Sequence, residues 1–348
     1  MHIFLIEIRS CHVGYLGCYG NDWLSTPAFD AIAGAGLVFD SHYADLVGEA
    51  IGQPAWSTVS CNGGQMLLES LLPDRDCQVQ WLGSWAGTGQ RPLETDKLFR
   101  QLVIRKENSF VAICLNHLSL PWDLSNIPDE VKHETQSEGA EAGTEILNER
   151  DTAVLGYREA YGSRVELLDQ WLADFMEKLH DSKLLDRAAI IVTADQGISL
   201  GEHTTPGTMP AYPYQEIAHL PLIIRLPGEE WAGTRVSTIT RASHLSRAIL
   251  GLLGSEHGGQ SGFDLLAWSR ESERASHYAR TLRVNESGRP TVAIRTPEWA
   301  FLIELNTDSP AAQLYRKPDD RWEVNNVLQH YPDVISRLEG LARAIPAP

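Results

Sequence analysis

Residues 188–193 (AAIIVT) constrain this chain more than any other segment. Six residues without charge and without alternation read as a short strand buried on both faces. Just upstream, Tyr161, Val165, Leu168, Trp171, Leu172, Phe175 and Leu179 recur at spacings of three and four, which predicts an amphipathic helix over 157–180. A second apolar strand is expected over 220–226, ended by Pro227-Gly228. A long helix between apolar strands is the pattern of a mostly parallel sheet covered on both faces, so the expected fold class is α/β.

The remaining segments extend that layer. Residues 3–9 predict a first strand, and Ser25-Thr26-Pro27 opens a helix that stops near Gly34, with Thr26 or Ser25 as its cap. Strands are expected at 37–39, 79–82, 102–104 and 110–115, and helices at 63–72 and 244–254. The polar, acidic stretch 124–150 reads as a surface excursion. From about residue 274 the character changes. Alternating runs at 290–295 and 299–304, a strand trace at 313–315 and a helix over 332–344 predict a small antiparallel sheet with a terminal helix. The expected division is 1–270 for the α/β domain and 271–348 for the C-terminal subdomain.

Composition narrows the partners. The 348 residues are 43% apolar and carry a formal net charge of −17, which excludes a disordered or collagen-like chain and disfavours nucleic acid and anionic membrane as partners. Five cysteines in no ligand-type spacing, and an N-terminus without the marks of an export signal, lead us to expect free thiols and a cytoplasmic setting. No apolar run approaches the ~18 residues a membrane span needs.

In open α/β sheets chemistry gathers at the carboxyl ends of the strands. Three such ends stand out: Glu7-Ile8-Arg9, Asn116-His117 and 193–197 (TADQG). Asp195 is a metal ligand or general base on one reading and a turn-capping carboxylate on the other. Glu7 interrupts an apolar run and needs a partner, in Arg9 or on a neighbouring strand; an arginine and a carboxylate at adjacent strand ends form a natural ion pair. His12, His117 and His203 follow strand ends and could converge, although a lone histidine is more often structural. Ser57 and Thr58 offer hydroxyls that nothing nearby marks as activated. Nucleotide-binding loops, the GxSxG elbow and the HExxH zinc pattern are absent from the sequence.

Several segments, in order, resemble the sulfatases of the alkaline phosphatase superfamily. Leu16-Gly17-Cys18-Tyr19-Gly20 is similar to their LGCYG turn, and Thr26-Pro27-Ala28-Phe29-Asp30 with Gly36-Leu37-Val38-Phe39 to their TPNLD…GxxF segment. Residues 81–87 (WLGSWAG) resemble GKWHxG. Asp195-Gln196-Gly197 with Leu200-Gly201-Glu202-His203 resembles DHGxxLGEH, and residues 214–228 (YQEIAHLPLIIRLPG) resemble YEExxRVPLIIxxPG. The tail, from Ala293-Ile294-Arg295-Thr296 to Asn325-Asn326-Val327, follows AIRT…ELYDLxxDPxExxNL. The resemblance implies a three-layer sandwich with a small C-terminal sheet, a sulfuric ester hydrolase and a calcium ion. In that family carboxylates after the first strand and an Asp-Asn or Asp-His pair hold the cation. The nucleophile is a formylglycine made from Cys or Ser in a C/S-x-P-x-R motif.

At those positions this chain departs from the pattern. Arg9 stands where the first-strand aspartate belongs, followed by His12. Gly52 stands at the nucleophile and Trp56 at the motif arginine; Ser84 and Ala86 replace the lysine and histidine of GKWHxG, and Ser119 stands near a further histidine. Asp195 survives, with Gln196 beside it. Glycine cannot be a nucleophile, and an arginine in a cation's shell has the wrong charge and no acceptor. The expectation is therefore a pseudoenzyme without formylglycine, calcium or other cofactor, in which Arg9 pairs with Asp195 and Gln196 satisfies a remaining guanidinium donor. Such a cleft could still bind a small anionic or sugar ligand. Tryptophans 56, 81, 85 and 122 read as filling vacated volume, with stacking on a sugar as the other reading. The alternative is an active sulfuric or phosphoric ester hydrolase with a rewired zinc or calcium site at Asp195 and Gln196. There Glu7, His12, His117 and His203 would supply the base, and Ser57, Thr58 or a water would attack. A purely structural scaffold is the third reading.

Overall fold

The structure is a computed structural model and describes residues 1–48, 55–61, 64–68, 72, 76–83, 94–120, 152–253, 278–284, 288–307 and 310–343. In chain order its strands are β1 (His2–Ile8), β2 (Leu37–Phe39), β3 (His42–Tyr43), β4 (Leu46–Val47), β5 (Thr58–Cys61), β6 (Gly64–Leu67), β7 (Cys77–Gly83), β8 (Asn108–Leu115), β9 (Ala188–Ala194), β10 (Leu222–Arg225), β11 (Thr234–Val236), β12 (Thr240–Arg241), β13 (Ala279–Val284), β14 (Pro290–Arg295), β15 (Trp299–Glu304) and β16 (Ala312–Arg316). The apolar runs β1, β8 and β9 lie at the centre of a seven-stranded sheet of order β11-β2-β10-β9-β1-β8-β7. From β7 to β9 neighbours are parallel, whereas β10 is antiparallel to both β9 and β2.

The two faces of β1 explain the layers. Phe4, Ile6 and Ile8 pack with Tyr161, Val165, Leu168, Leu172 and Phe175 of the helix Thr152–Asp181. Ile3 and Leu5 face the other way, onto Trp56 and onto Leu245, Ala248 and Ile249 of the helix Ala242–Leu252. A strand covered on both faces cannot alternate in polarity, which is why the sequence shows unbroken apolar runs here. The result is a three-layer α/β sandwich, as expected.

The small sheet has the order β16-β15-β14-β13-β4 and packs against the helix Pro332–Arg343. Its C-terminal strands are antiparallel, but Leu46–Val47 joins β13 in parallel, so the first part of the chain supplies one edge. The expected boundary near residue 270 and the excursion 124–150 lie outside the described residues.

Three local expectations are corrected. Residues 64–67, expected within a helix, are β6, which pairs with β5 as a hairpin. Residues 102–104 are not a strand: the missed helix Thr95–Gln101 ends there, and the following segment bonds to glutamine side chains of β7. Val103 N–H donates to Gln80 Oε1 (3.1 Å) and Arg105 N–H to Gln78 Oε1 (2.9 Å). The helix Pro27–Gly34 forms as expected, but Thr26 Oγ1 accepts from Gly17 N–H (2.9 Å) instead of capping it. The open amides of Ala28 and Phe29 donate to buried Asp169 Oδ1 at 3.0 and 2.9 Å, a cap supplied by the neighbouring helix. Among the described residues no helix is long and apolar enough to cross a membrane.

Candidate functional site

The parallel register of β1 and β9 sets Glu7 beside Thr193 and Ile8 beside Ala194, so the next residues, Arg9 and Asp195, emerge together at the strand ends. Arg9 Nε donates to Asp195 Oδ2 at 2.9 Å. The other oxygen, Oδ1, accepts the N–H of Ser10 (3.0 Å) and of Gln196 (2.6 Å). Ser10 reaches it by adopting a left-handed φ of 59°, and Cys11 N–H then donates to the Gln196 carbonyl at 3.0 Å, locking the two loops together. After Gln196 only glycine fits, because a Cβ on Gly197 would lie 1.8 Å from the Glu216 carbonyl oxygen. Burial lifts the Asp195 carboxyl above its usual range, opposed by the Arg9 guanidinium and by the Ser10 and Gln196 amides. With three donors on two oxygens, the group is a carboxylate at neutral pH. Its side chain is 4% exposed and that of Arg9 31%.

Glu7 finds a different partner from the one expected. Trp56 Nε1 donates to its Oε2 at 2.6 Å, while Oε1 is buried without a hydrogen bond. Burial, reinforced by the nearby Asp195 charge, raises the Glu7 carboxyl well above the usual range, against the pull of the Trp56 indole and of Arg9. Trp56 is fully buried, stacks on Trp81 (centroids 5.7 Å, 24°) and meets the edge of Phe110. It therefore fills volume rather than offering a face to a sugar. Trp85 and Trp122 lie outside the described residues, as do Gly52, Ser84 and Ala86. Ser57 is buried, and Thr58 lies in β5.

Gln196 also departs from expectation: its Oε1 accepts the Gly48 N–H (2.8 Å) rather than a guanidinium donor. Ser119 does reach this cluster, with its hydroxyl 3.3 Å from that of Ser10. Calcium requires several uncommitted oxygen ligands. Here both Asp195 oxygens and the Gln196 amide oxygen are already acceptors, and one of the donors is a cation. This donor set does not fit a hard cation, and among the described residues no group of three His, Cys, Asp or Glu side chains is arranged to hold a metal.

The histidines are spread over different tasks. His12 Nδ1 accepts the Gly14 N–H (3.0 Å), which leaves the proton on Nε2, 3.5 Å from Glu202 Oε1. Tyr161 Oη accepts the His12 N–H and donates to the Ser10 carbonyl, fixing this loop to the long helix. His203 Nε2 donates to the Glu323 carbonyl and its Nδ1 meets Glu216 Oε1, both at 2.9 Å, while its ring stacks on Tyr214 at 3.7 Å. His12 and His203 line a cavity of about 850 Å³ together with Trp23, Arg158 and Trp322; Glu7, Arg9, His117 and Asp195 are not among its walls. His117 is buried, and its carbonyl accepts from Arg164.

Sequence reasoning missed the Trp56–Glu7 bond, the turn at Ser10 and a buried network in which Arg295 grips Glu323 at 2.9–3.1 Å. The signal for the first was present, since a glutamate inside an apolar strand demands a donor. The third shows in sequence only as an arginine closing the alternating run of β14.

The sulfatase family model matches residues 95–255. Over that stretch the chain is similar to the sulfatases. Arylsulfatase K of Danio rerio is 27% identical over 184 residues, covering 51% of this chain and 35% of that protein. The Homo sapiens arylsulfatase K is 27% identical over 184 residues, covering 49% and 33%. The chain thus spans about a third of the length of the curated relatives it matches. Among solved structures, a protein in complex with its substrate D-glucosamine-2-N,6-O-disulfate superposes with a TM-score of 0.76 at 17% identity, over 98% of this chain and 96% of that one. The phosphonate monoester hydrolase of Agrobacterium radiobacter gives 0.73 at 15% identity, over 98% and 94%. These likenesses agree with the fold of the large mixed sheet and the smaller antiparallel sheet.

Proposed function

We propose that this sulfatase-like protein no longer runs the family's hydrolytic reaction and uses the inherited cleft to bind a small anionic or sugar ligand. The observation that carries the reading is the ion pair between Arg9 and Asp195. A guanidinium takes the place at the strand end where the resemblance puts a cation-binding aspartate, and it commits the surviving carboxylate. The sequence supports the same conclusion: Gly52 offers no nucleophile, and Ser84 and Ala86 offer no cation to developing negative charge. At the position of the motif arginine, the Trp56 indole donates to Glu7 in place of a sulfate oxygen.

The ligand class rests on the charge of Arg9, whose side chain is about a third exposed and whose guanidinium favours carboxylate, sulfate or phosphate. That a solved relative binds a sulfated glucosamine is consistent with this class. The test is metal analysis of the purified protein alongside aryl sulfate and aryl phosphate hydrolysis. Substoichiometric metal, with turnover no greater than that of Asp195→Asn, is expected. Stoichiometric calcium or zinc together with hydrolysis abolished in Asp195→Asn would establish a working hydrolase instead.

A further inference from the structure

A second cavity, of about 360 Å³, lies between the edge of the large sheet and the C-terminal subdomain, and Arg9, Asp195 and Gln196 are not among its walls. Its walls carry Arg235, Lys317 and Arg321 against a single carboxylate, Asp40, in a protein whose formal net charge is −17. Asp40 pairs with Arg235. Glu323, buried behind the wall, is held by Arg295 and touched by Lys317 Nζ at 3.2 Å. Arg235, Arg295, Lys317 and Arg321 thus share Asp40 and Glu323, with Asp320 also near Lys317, so cations outnumber carboxylates around this cavity. Arg321 donates to the Tyr19 carbonyl and lies over the Trp322 ring, neither of which is an anion.

His219 adds a donor without an acceptor. Lys317 Nζ donates to Gln215 Oε1 (3.3 Å), which turns the Gln215 amide nitrogen toward His219 Nδ1 (2.9 Å). Nδ1 must then accept, so the imidazole carries its proton on Nε2, and this buried atom has no hydrogen-bond partner. A buried N–H without an acceptor is costly, and His219 stands in the wall of this cation-rich cavity. Ser41, Ser237 and Thr296 supply hydroxyls on the same walls.

We propose that this cavity binds a small dianionic oxyanion, phosphate or sulfate, either free or as the terminal group of a monoester. Lys317 and Arg321 supply the charge, and the volume leaves room for a short organic tail. The site is separate from the Arg9 cleft and does not depend on how that cleft functions.

The experiment is calorimetric titration of the whole chain with inorganic phosphate, inorganic sulfate and methyl phosphate at constant ionic strength in chloride. Saturable binding with a Kd at or below about 1 mM is expected for at least one of them, with one site per chain remaining in Arg9→Gln. Methyl phosphate binding as well as inorganic phosphate marks a monoester site, and binding of the inorganic ions alone marks a free-ion site. Arg321→Gln should weaken binding at least about tenfold, the loss of one charged hydrogen bond. Arg235→Gln, at a more exposed position, gives the same direction if Arg321→Gln fails to fold, and Arg9→Gln, which removes any anion held by the inherited cleft, should retain the cavity's binding event. No saturable binding of any probe, wild-type affinity in both cavity variants, or loss of binding in Arg9→Gln would overturn the proposal; the last would place the anion in the inherited cleft.

Discussion

Arg9→Asp introduces the residue that the resemblance to sulfatases implies at the end of the first strand, and it tests directly the proposal that a guanidinium has taken a cation's place. In the wild type Asp195 is 4% exposed and held by Arg9 Nε and two backbone amides. Removing one partner of a buried pair destabilises by roughly 3–5 kcal/mol. Arg9 is 31% exposed and the Ser10 and Gln196 amides remain, so solvent screening reduces that loss to about 1–3 kcal/mol. A new carboxylate near Asp195 adds repulsion, about 1 kcal/mol at 4 Å in water and about 4 at the effective dielectric of a protein surface. Urea unfolding should therefore show Arg9→Asp well below wild type in EDTA. Calcium should restore part of the loss, by about 2.7 kcal/mol at a hundredfold excess over its Kd. Arg9→Gln should fall in both conditions, and the wild type should respond to neither. A wild-type midpoint raised by calcium, or an Arg9→Asp midpoint equal to wild type in EDTA, would refute the reasoning.

Glu7 holds its proton in the fold well above the unfolded value near ~4.3, so the folded chain binds more protons between the two values and its stability falls as pH rises through that window. Glu7→Gln keeps the Trp56 bond and removes the titration; urea midpoints should match wild type at low pH and exceed it increasingly toward pH ~8. Arg295→Met leaves the fully buried Glu323 to Lys317 and the Gln215 amide and should destabilise by about 3 kcal/mol, with Arg295→Met/Glu323→Leu recovering part of the loss in the same unfolding assay. Gly197→Ala would drive a Cβ to 1.8 Å from the Glu216 carbonyl oxygen. An unfolding loss of about 3 kcal/mol or more is expected, because backbone on both sides must move.

What could be read in the sequence divides along physical lines. β1, β8, β9 and the helix Thr152–Asp181 were legible because burial on both faces, or on one helical stripe, writes a periodicity into the chain. The pairing of Arg9 with Asp195 was legible because both close strands of one parallel sheet. The hairpin at 64–67 and the course of 102–105 were not. The latter is held by Gln78 and Gln80 side chains, and hydrogen bonding of backbone to distant glutamines leaves no periodic trace. Thr26 carried every local mark of a cap, yet Gly17 claimed its hydroxyl while Asp169, 141 residues away, took the amide of Ala28. Partners chosen across such distances are invisible to any local rule.

The same long-range logic explains why the altered centre remains a well-ordered fold. An aspartate with a divalent cation presents a net charge of +1 to the carboxylate across the strand gap, and so does an arginine alone. Exchanging the first for the second keeps Asp195 ionised and keeps β1 and β9 joined at their ends. On the proposed reading, the guanidinium and the two amides occupy both oxygens in place of a metal. Trp56 completes the change one layer below. Where the resemblance would put an arginine, the Trp56 indole donates to Glu7, whose carboxyl is raised well above its usual range by burial and by the Asp195 charge. Arg9 and Trp56 are thus linked by charge: with Arg9 reverted alone, Asp195 would face a new carboxylate with no cation to balance it.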